Sequence, residues 1–292
     1  MIMKKVKIIT DSNSGITQEE GKNLDVFVIS MPFTINGKEY FEGISISQDR
    51  FFELLEQGAE VTTSQPSQAY LENVWSGFLN EYEQIVYIPM SSGLSATCTN
   101  AKKYAEQFAG RVRVADNLRI SVPQKISVYE AVQLAKNGKS AEEILRHLEN
   151  TKGLCSIYLT VSELKYLKKG GRITPAVATL GDMLRLKPIL FTRGNSFDKY
   201  AIALSMGQAK KKMIQQIKND LITEFKNEYE HGRMALLVAY SKIKEEAVKF
   251  SKEIEAEFPN MKVLYVDPLS LSVACHTGAG ALGIGICLCN YL

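Results

Sequence analysis

The chain has 292 residues, 45% hydrophobic and 23% charged, which excludes a small disulfide-stapled module, a disordered chain and a polytopic membrane protein, and suits two domains of about 100–200 residues each. Lys plus Arg minus Asp plus Glu is 35 − 32 = +3, so no net field argues for nucleic acid or an anionic membrane, and any anion has to be bound locally. The charge is uneven: residues 268–292 contain no Asp, Glu, Lys or Arg, which leaves burial in the fold or insertion in a membrane as rival explanations.

Apolar runs of strand length alternate with segments of helical period, which predicts an α/β protein with a mainly parallel sheet in its first half. Residues 6–9 form the first strand, and Thr17-Gln-Glu-Glu20 has the spacing of a capping box, so a helix starts there. Residues 26–33 read as a second strand, and Asn36-Gly37 as a hairpin turn. A helix over 67–80 is followed by a strand over 85–88, a loop at Pro89-Met-Ser-Ser-Gly-Leu-Ser95 and a helix reaching about residue 108. Residues 112–115 read as a strand, and 128–136 and 141–148 as helices. Lys152-Gly153 is the expected border between an N-terminal domain, 1–153, and a C-terminal domain, 154–292. The second half has strands over 156–161, 187–192, 234–240 and 263–266, a short helix ending in Lys168-Lys-Gly-Gly-Arg172, an N-cap with first-turn proline at Thr174-Pro175, and a helix over 242–258. The Lys210-Lys211-Lys212 run reads as the wet face of a helix.

The five cysteines, Cys98, Cys155, Cys275, Cys287 and Cys289, have no Cys-x-x-Cys or metal-type spacing and read as reduced core thiols. The N-terminal run to Asp11 reaches charge too soon for a signal peptide, so a cytoplasmic location is expected. Ser91, Ser92 and Ser95 place hydroxyls at the carboxyl end of a strand, ahead of a helix, where free N–H groups favour an anion; the alternative is that Ser92 or Ser95 caps its own helix. Thr62-Thr63-Ser64-Gln65-Pro66-Ser67 is a second hydroxyl-rich turn, with Ser67 as N-cap. Arg172 follows two glycines, where backbone can approach a ligand and a guanidinium can grip a carboxylate or phosphate. His276-Thr-Gly-Ala-Gly-Ala-Leu-Gly283 matches Gly-x-Gly-x-x-Gly, but the nine residues after Gly283 leave no room for a dinucleotide fold, so these glycines read as close-packing positions, with His276 as a candidate ligand residue. No nucleophile–base motif, phosphate loop or metal cluster is present, so no catalytic or metal-binding residue is assigned.

Taken together, Ile9-Thr-Asp-Ser12, Thr63-Ser-Gln-Pro-Ser67, Ser91-Ser-Gly-Leu-Ser95, Tyr166-Leu-Lys-Lys-Gly-Gly-Arg-Ile173, Lys187-Pro-Ile-Leu190 and His276-Thr-Gly278 resemble the DegV family in order and spacing, across nearly the whole chain. That resemblance implies two α/β domains with a long-chain fatty acid in a tunnel between them, no other cofactor, and a carrier that presents the acyl carboxylate to a separate fatty acid kinase rather than an enzyme. Carried over by motif position, Thr63 and Ser92 bond the carboxylate, with Ser64, Arg172 and His276 nearby. Ala96, Cys98 and Ala279 depart from the family pattern, and residues 192–201 lack the aspartate-glycine turn and basic run common there, which bears on kinase recognition. The rival readings are an acyl-transfer or hydrolytic enzyme with Ser92 as nucleophile and His276 as base, and a membrane-anchored protein using the uncharged tail. Because that tail has no continuous run of about 18 apolar residues, burial beside the acyl site is the expectation and no membrane span is assigned.

Overall fold

A computed structural model describes residues 4–179 and 186–291; residues 1–3 of the N-terminal run and Leu292 of the uncharged tail lie outside them. The chain divides into two compact units, one of residues up to Ser47 with Glu60–Gly153, the other of Gln48–Ala59 with residues from Leu154 on.

The first unit comprises β1 (Lys4–Asp11), α1 (Gln18–Leu24), β2 (Val26–Ile29), β3 (Pro32–Ile35) and β4 (Lys38–Phe41). The chain then contributes α2 (Gln48–Glu56) to the second unit and returns for β5 (Val61–Thr63), α3 (Gln68–Phe78), β6 (Tyr82–Ile88), α4 (Thr97–Ala105), β7 (Val112–Val114), α5 (Ser121–Lys136) and α6 (Ala141–Asn150). A four-stranded sheet in the order β2-β1-β6-β7 is parallel throughout. Successive side chains of its strands enter opposite cores: Ile8, Val86 and Ile88 pack with Val128, Ala131 and Ile144, whereas Ile9, Ile85 and Tyr87 pack with Leu71, Trp75 and Ala101. That alternation is the strand period of two, with helices covering both faces.

Two expectations shift here. The strand expected over 26–33 is two strands, because Met31 donates its N–H to Ser12 Oγ at 3.1 Å instead of continuing the parallel ladder. β3 then joins an antiparallel sheet ordered β4-β3-β5, and the β3–β4 turn has Asn36 and Gly37 at φ 50° and 78°, as a type I′ hairpin requires. Helix α5 starts at Ser121 rather than 128. Its first turns carry Pro123, tolerated there, and the buried polar residues Gln124, Lys125 and Ser127, which break the apolar stripe.

Residues 48–59, which chain order assigns to the first domain, belong to the second unit. Helix α2 buries Phe51, Phe52 and Leu55, and its Glu56 pairs with Lys242. The rest of this unit is β8 (Cys155–Thr160), α7 (Lys165–Gly170), α8 (Pro175–Ala178), β9 (Lys187–Thr192), β10 (Asp198–Ala203), α9 (Met206–Ile222), α10 (Lys226–Glu230), β11 (Met234–Tyr240), α11 (Lys244–Glu257), β12 (Val263–Pro268), α12 (Leu271–Thr277) and β13 (Leu282–Leu288). Its six-stranded sheet runs β10-β9-β8-β13-β11-β12, and only β11 and β12 pair in parallel.

The uncharged tail supplies α12 and a central strand, β13, every residue of which is buried. Leu282, Ile284, Ile286 and Leu288 face Met213, Ile217, Phe250 and Ile254 of α9 and α11; the alternate positions are Gly283, Gly285 and Cys287. Lys210 is not on a wet face: it is 5% exposed, lies over the Phe250 ring and pairs with Glu246 at 2.5 Å and Glu253 at 3.0 Å. Its charge stays satisfied while its stem packs in the core.

Candidate functional site

In the first unit, β1 leads to β2 on one side and β6 to β7 on the other, so the loops leaving these two adjacent strands part and open a crevice at their carboxyl ends. β1 ends with Asp11, and the loop after β6 carries Ser91 and Ser92. Asp11 is fully buried. Its Oδ2 accepts the Met90 N–H at 2.9 Å, and its Oδ1 accepts the Asn13 N–H at 3.1 Å and Gln124 Nε2 at 3.0 Å. Burial raises the Asp11 carboxyl to about 6, against the lowering pull of those donors. Asp11 therefore pins the strand end from which the serine loop departs.

The serine loop is further fixed by the Ser91 N–H donating to Arg119 O at 2.9 Å and by the Gly93 N–H donating to Ser91 Oγ at 3.1 Å. Ser95 Oγ accepts the Thr97 N–H at 3.2 Å, so Ser95 serves the start of α4. Ser92 does not. Half-buried, it donates its hydroxyl to Asp116 Oδ2 at 2.6 Å and its N–H to Asp116 Oδ1 at 3.2 Å.

Thr63 is the last residue of β5, opposite Phe33. Thr62 Oγ1 lies 2.7 Å from Thr34 Oγ1, and the strand period turns Thr63 to the other face. Ser64 is exposed; its N–H donates to Pro32 O at 3.2 Å, while Ser67 caps α3 through the Tyr70 N–H at 3.2 Å. Asn100 Nδ2 donates to Gln65 Oε1 at 2.9 Å, which ties this turn to α4, the helix following the Ser92 loop.

Arg172 and His276 are brought together in the second unit. Helix α7 ends at Gly171, whose φ of 67° suits a left-handed C-terminal stop. The Arg172 guanidinium then folds back to donate to Gly170 O. The His276 ring, on the last turn of α12, lies so close to Gly170 that a Cβ there would overlap it. Burial, reinforced by the Arg172 charge, lowers the His276 imidazolium to about 4, so the ring is neutral at pH 7. A neutral imidazole beside a guanidinium can donate an N–H to an anion while the arginine supplies the charge.

The glycine-rich stretch holds this pair in place and is not a dinucleotide turn, since a helix precedes Gly278 and Gly283 lies within β13. Gly278, at φ 68°, would put a Cβ 2.5 Å from the Tyr166 ring of α7. Ser241, 1% exposed, donates to Gly278 O at 2.6 Å and accepts the Ala281 N–H at 3.0 Å.

The residues reasoning from sequence did not single out are Asp116, Gln124 and Ser241, together with the hub role of Asp11. Only Asp11 stood in a recognisable motif. Among the described residues, no group of three or more His, Cys, Asp or Glu is placed to hold a metal ion, and no helix is long and apolar enough to cross a membrane.

A model of the family described as "Uncharacterised protein, DegV family" matches residues 5–288. Protein DegV of Bacillus subtilis is 29% identical over 287 residues, covering 97% of this chain and 99% of that one. Among solved structures, one described as fatty acid binding of a DegV family protein from Thermus thermophilus matches with a TM-score of 0.85 and 27% identity over 97% of this chain and 99% of that one. The crystal structure of DegV, a fatty acid binding protein from Bacillus subtilis, matches with a TM-score of 0.83 and 26% identity over 97% and 99%.

Proposed function

Because this chain belongs to the DegV family, we propose that it binds a long-chain fatty acid and, as a carrier, presents the carboxylate to a separate kinase for acyl-phosphate formation. Thr63 and Ser92 take the carboxylate in this reading, with Ser64 beside them, and Arg172 and His276 act on the same head group. The observation that carries it is the pairing in the second unit of a guanidinium with an imidazole held neutral by burial, a donor set suited to one carboxylate and poorly suited to a polyanion. The solved relatives described as fatty-acid-binding proteins support the ligand class. Each charge-assisted hydrogen bond is worth about 1.5–3 kcal/mol, while fourteen buried methylenes at about 0.8 kcal/mol each give about 11 kcal/mol before ordering costs. The acyl chain therefore dominates affinity and the polar residues fix which end is presented. The same reading places the protein in the cytoplasm, where its five buried cysteines, all free thiols, stay reduced.

Mass spectrometry of an organic extract of the purified protein should show a fatty acid at about one equivalent. The Thr63→Ala/Ser92→Ala double variant should bind oleate more weakly by about 2–4 kcal/mol; unchanged affinity would remove both residues from the site. Kinase presentation is tested separately, by ATP-dependent conversion of carrier-bound oleate to the acyl phosphate with a fatty acid kinase, and fails if only free oleate reacts.

A further inference from the structure

A serine hydroxyl has one hydrogen to donate, and in Ser92 that hydrogen is already given to a carboxylate. Asp116 Oδ2 receives it at 2.6 Å, and Asp116 Oδ1 takes the Ser92 N–H at 3.2 Å. The side chain thus occupies both donors of the residue in the bidentate manner a ligand carboxylate would use. Both residues are half-buried, so the contact is within reach of an incoming head group and is not sealed in the core.

The segment that carries Asp116 to this position is under tension. Leu118, between β7 and α5, and Ser121, the first residue of α5, stand at φ 51° and 55°, a left-handed conformation that costs a leucine or serine free energy. In the same segment the buried Asn117 Nδ2 and Ser121 Oγ make no hydrogen bond to any described residue. A buried polar atom without a partner is a cost that another arrangement of the segment can relieve. The start of α4 does not call on the Ser92 hydroxyl, since the Thr97 N–H there goes to Ser95 Oγ.

We propose that Asp116 is an internal competitor for the ligand's head group: it receives the same Ser92 hydroxyl hydrogen that a fatty acid carboxylate needs, and the carboxylate has to displace it to bind. The inference rests on the reading that Ser92 takes the acyl carboxylate. It gives the fold a means of setting affinity without touching the acyl chain. Two carboxylates cannot share one hydroxyl hydrogen, and their charges repel at that separation, so ligand arrival and Asp116 withdrawal are a single event.

Oleate binding to the delipidated full chain, followed by isothermal titration calorimetry, tests this with wild type, Ser92→Ala, Asp116→Ala and Ser92→Ala/Asp116→Ala. Removing Asp116 should lower Kd at least tenfold when Ser92 is present and less than twofold when it is absent. A gain that survives without Ser92 would reduce Asp116 to a general repulsive charge and overturn the competition. An Asp116→Ala variant that binds oleate as weakly as wild type, or more weakly, overturns it also. Should Asp116→Ala unfold, Asp116→Asn keeps the side-chain shape while weakening the acceptor, and it should still lower Kd at least threefold. If wild type and every variant fail to bind oleate, it is the fatty acid reading that falls; if wild type binds and the cycle shows no dependence on Ser92, only the competition falls.

Discussion

His276 and Asp11 respond to acid in opposite directions, and each does so inside its own unit. His276 titrates near 6.5 when exposed and near 4 in the fold, so as pH falls through that window the unfolded chain binds the proton first and the folded state loses stability. Asp11 titrates near 3.8 when exposed and near 6 in the fold, so there the folded state protonates first and gains stability as pH falls from 6 to 4. Shifts of this size correspond to about 3 kcal/mol each at most. Wild type should therefore lose stability relative to His276→Gln, by about 2–3 kcal/mol, when urea unfolding is moved from pH 7 to pH 4, and gain a similar amount relative to Asp11→Asn. A pH-independent difference for either variant would show that its burial does not set its titration. Neither shift is visible in sequence, because burial comes from the packing around a residue. Ser92 was found through its motif, whereas Asp116 lies 24 positions away with nothing local to join the two.

Helices are placed by caps and by their apolar stripes, and where these were present the elements were legible. The Thr17 cap of α1 and the Ser67 cap of α3 both formed at the residues that the spacing marked. The missed or misread elements lack those marks. Helix α5 has a polar, buried first half, and β10 is an edge strand whose first half, Asp198-Lys-Tyr200, is exposed. The glycine-rich tail conceals α12 and β13 because glycine carries no hydrophobic signal, although at Gly283 a side chain would press on Leu159 and the Tyr158 carbonyl. Helix α12 bears on the proposed site, since its last turn positions His276. Its N-cap is Ser270, 3% exposed, which accepts the Val273 N–H at 3.3 Å. Ser270→Ala should cost about 1 kcal/mol by urea denaturation and loosen the His276 ring against Gly170, seen as a rise of its NMR titration midpoint towards 6.5. A midpoint that stays put while stability falls would show that the cap holds the helix without positioning the ring.

The chain passes between its two units at three places, after Ser47, after Ala59 and after Gly153. A protease cut between Lys152 and Gly153, both exposed, should therefore leave residues 1–152 and 153–292 eluting together in native gel filtration, since α2 remains part of the second unit. Separation without denaturant would mean that α2 contributes little to it. The excursion also has a consequence during synthesis. Helix α2, which carries the buried rings of Phe51 and Phe52, emerges with the first unit, but the rest of the unit it belongs to begins at Leu154, 154 − 56 = 98 residues after its last residue. At roughly 5–20 residues per second, the helix with those two rings waits several seconds or more for the rest of its unit to be made. The newborn chain thus carries a temporary greasy segment on a partly completed protein, and cellular supply of the finished protein depends on whatever shields it during that interval.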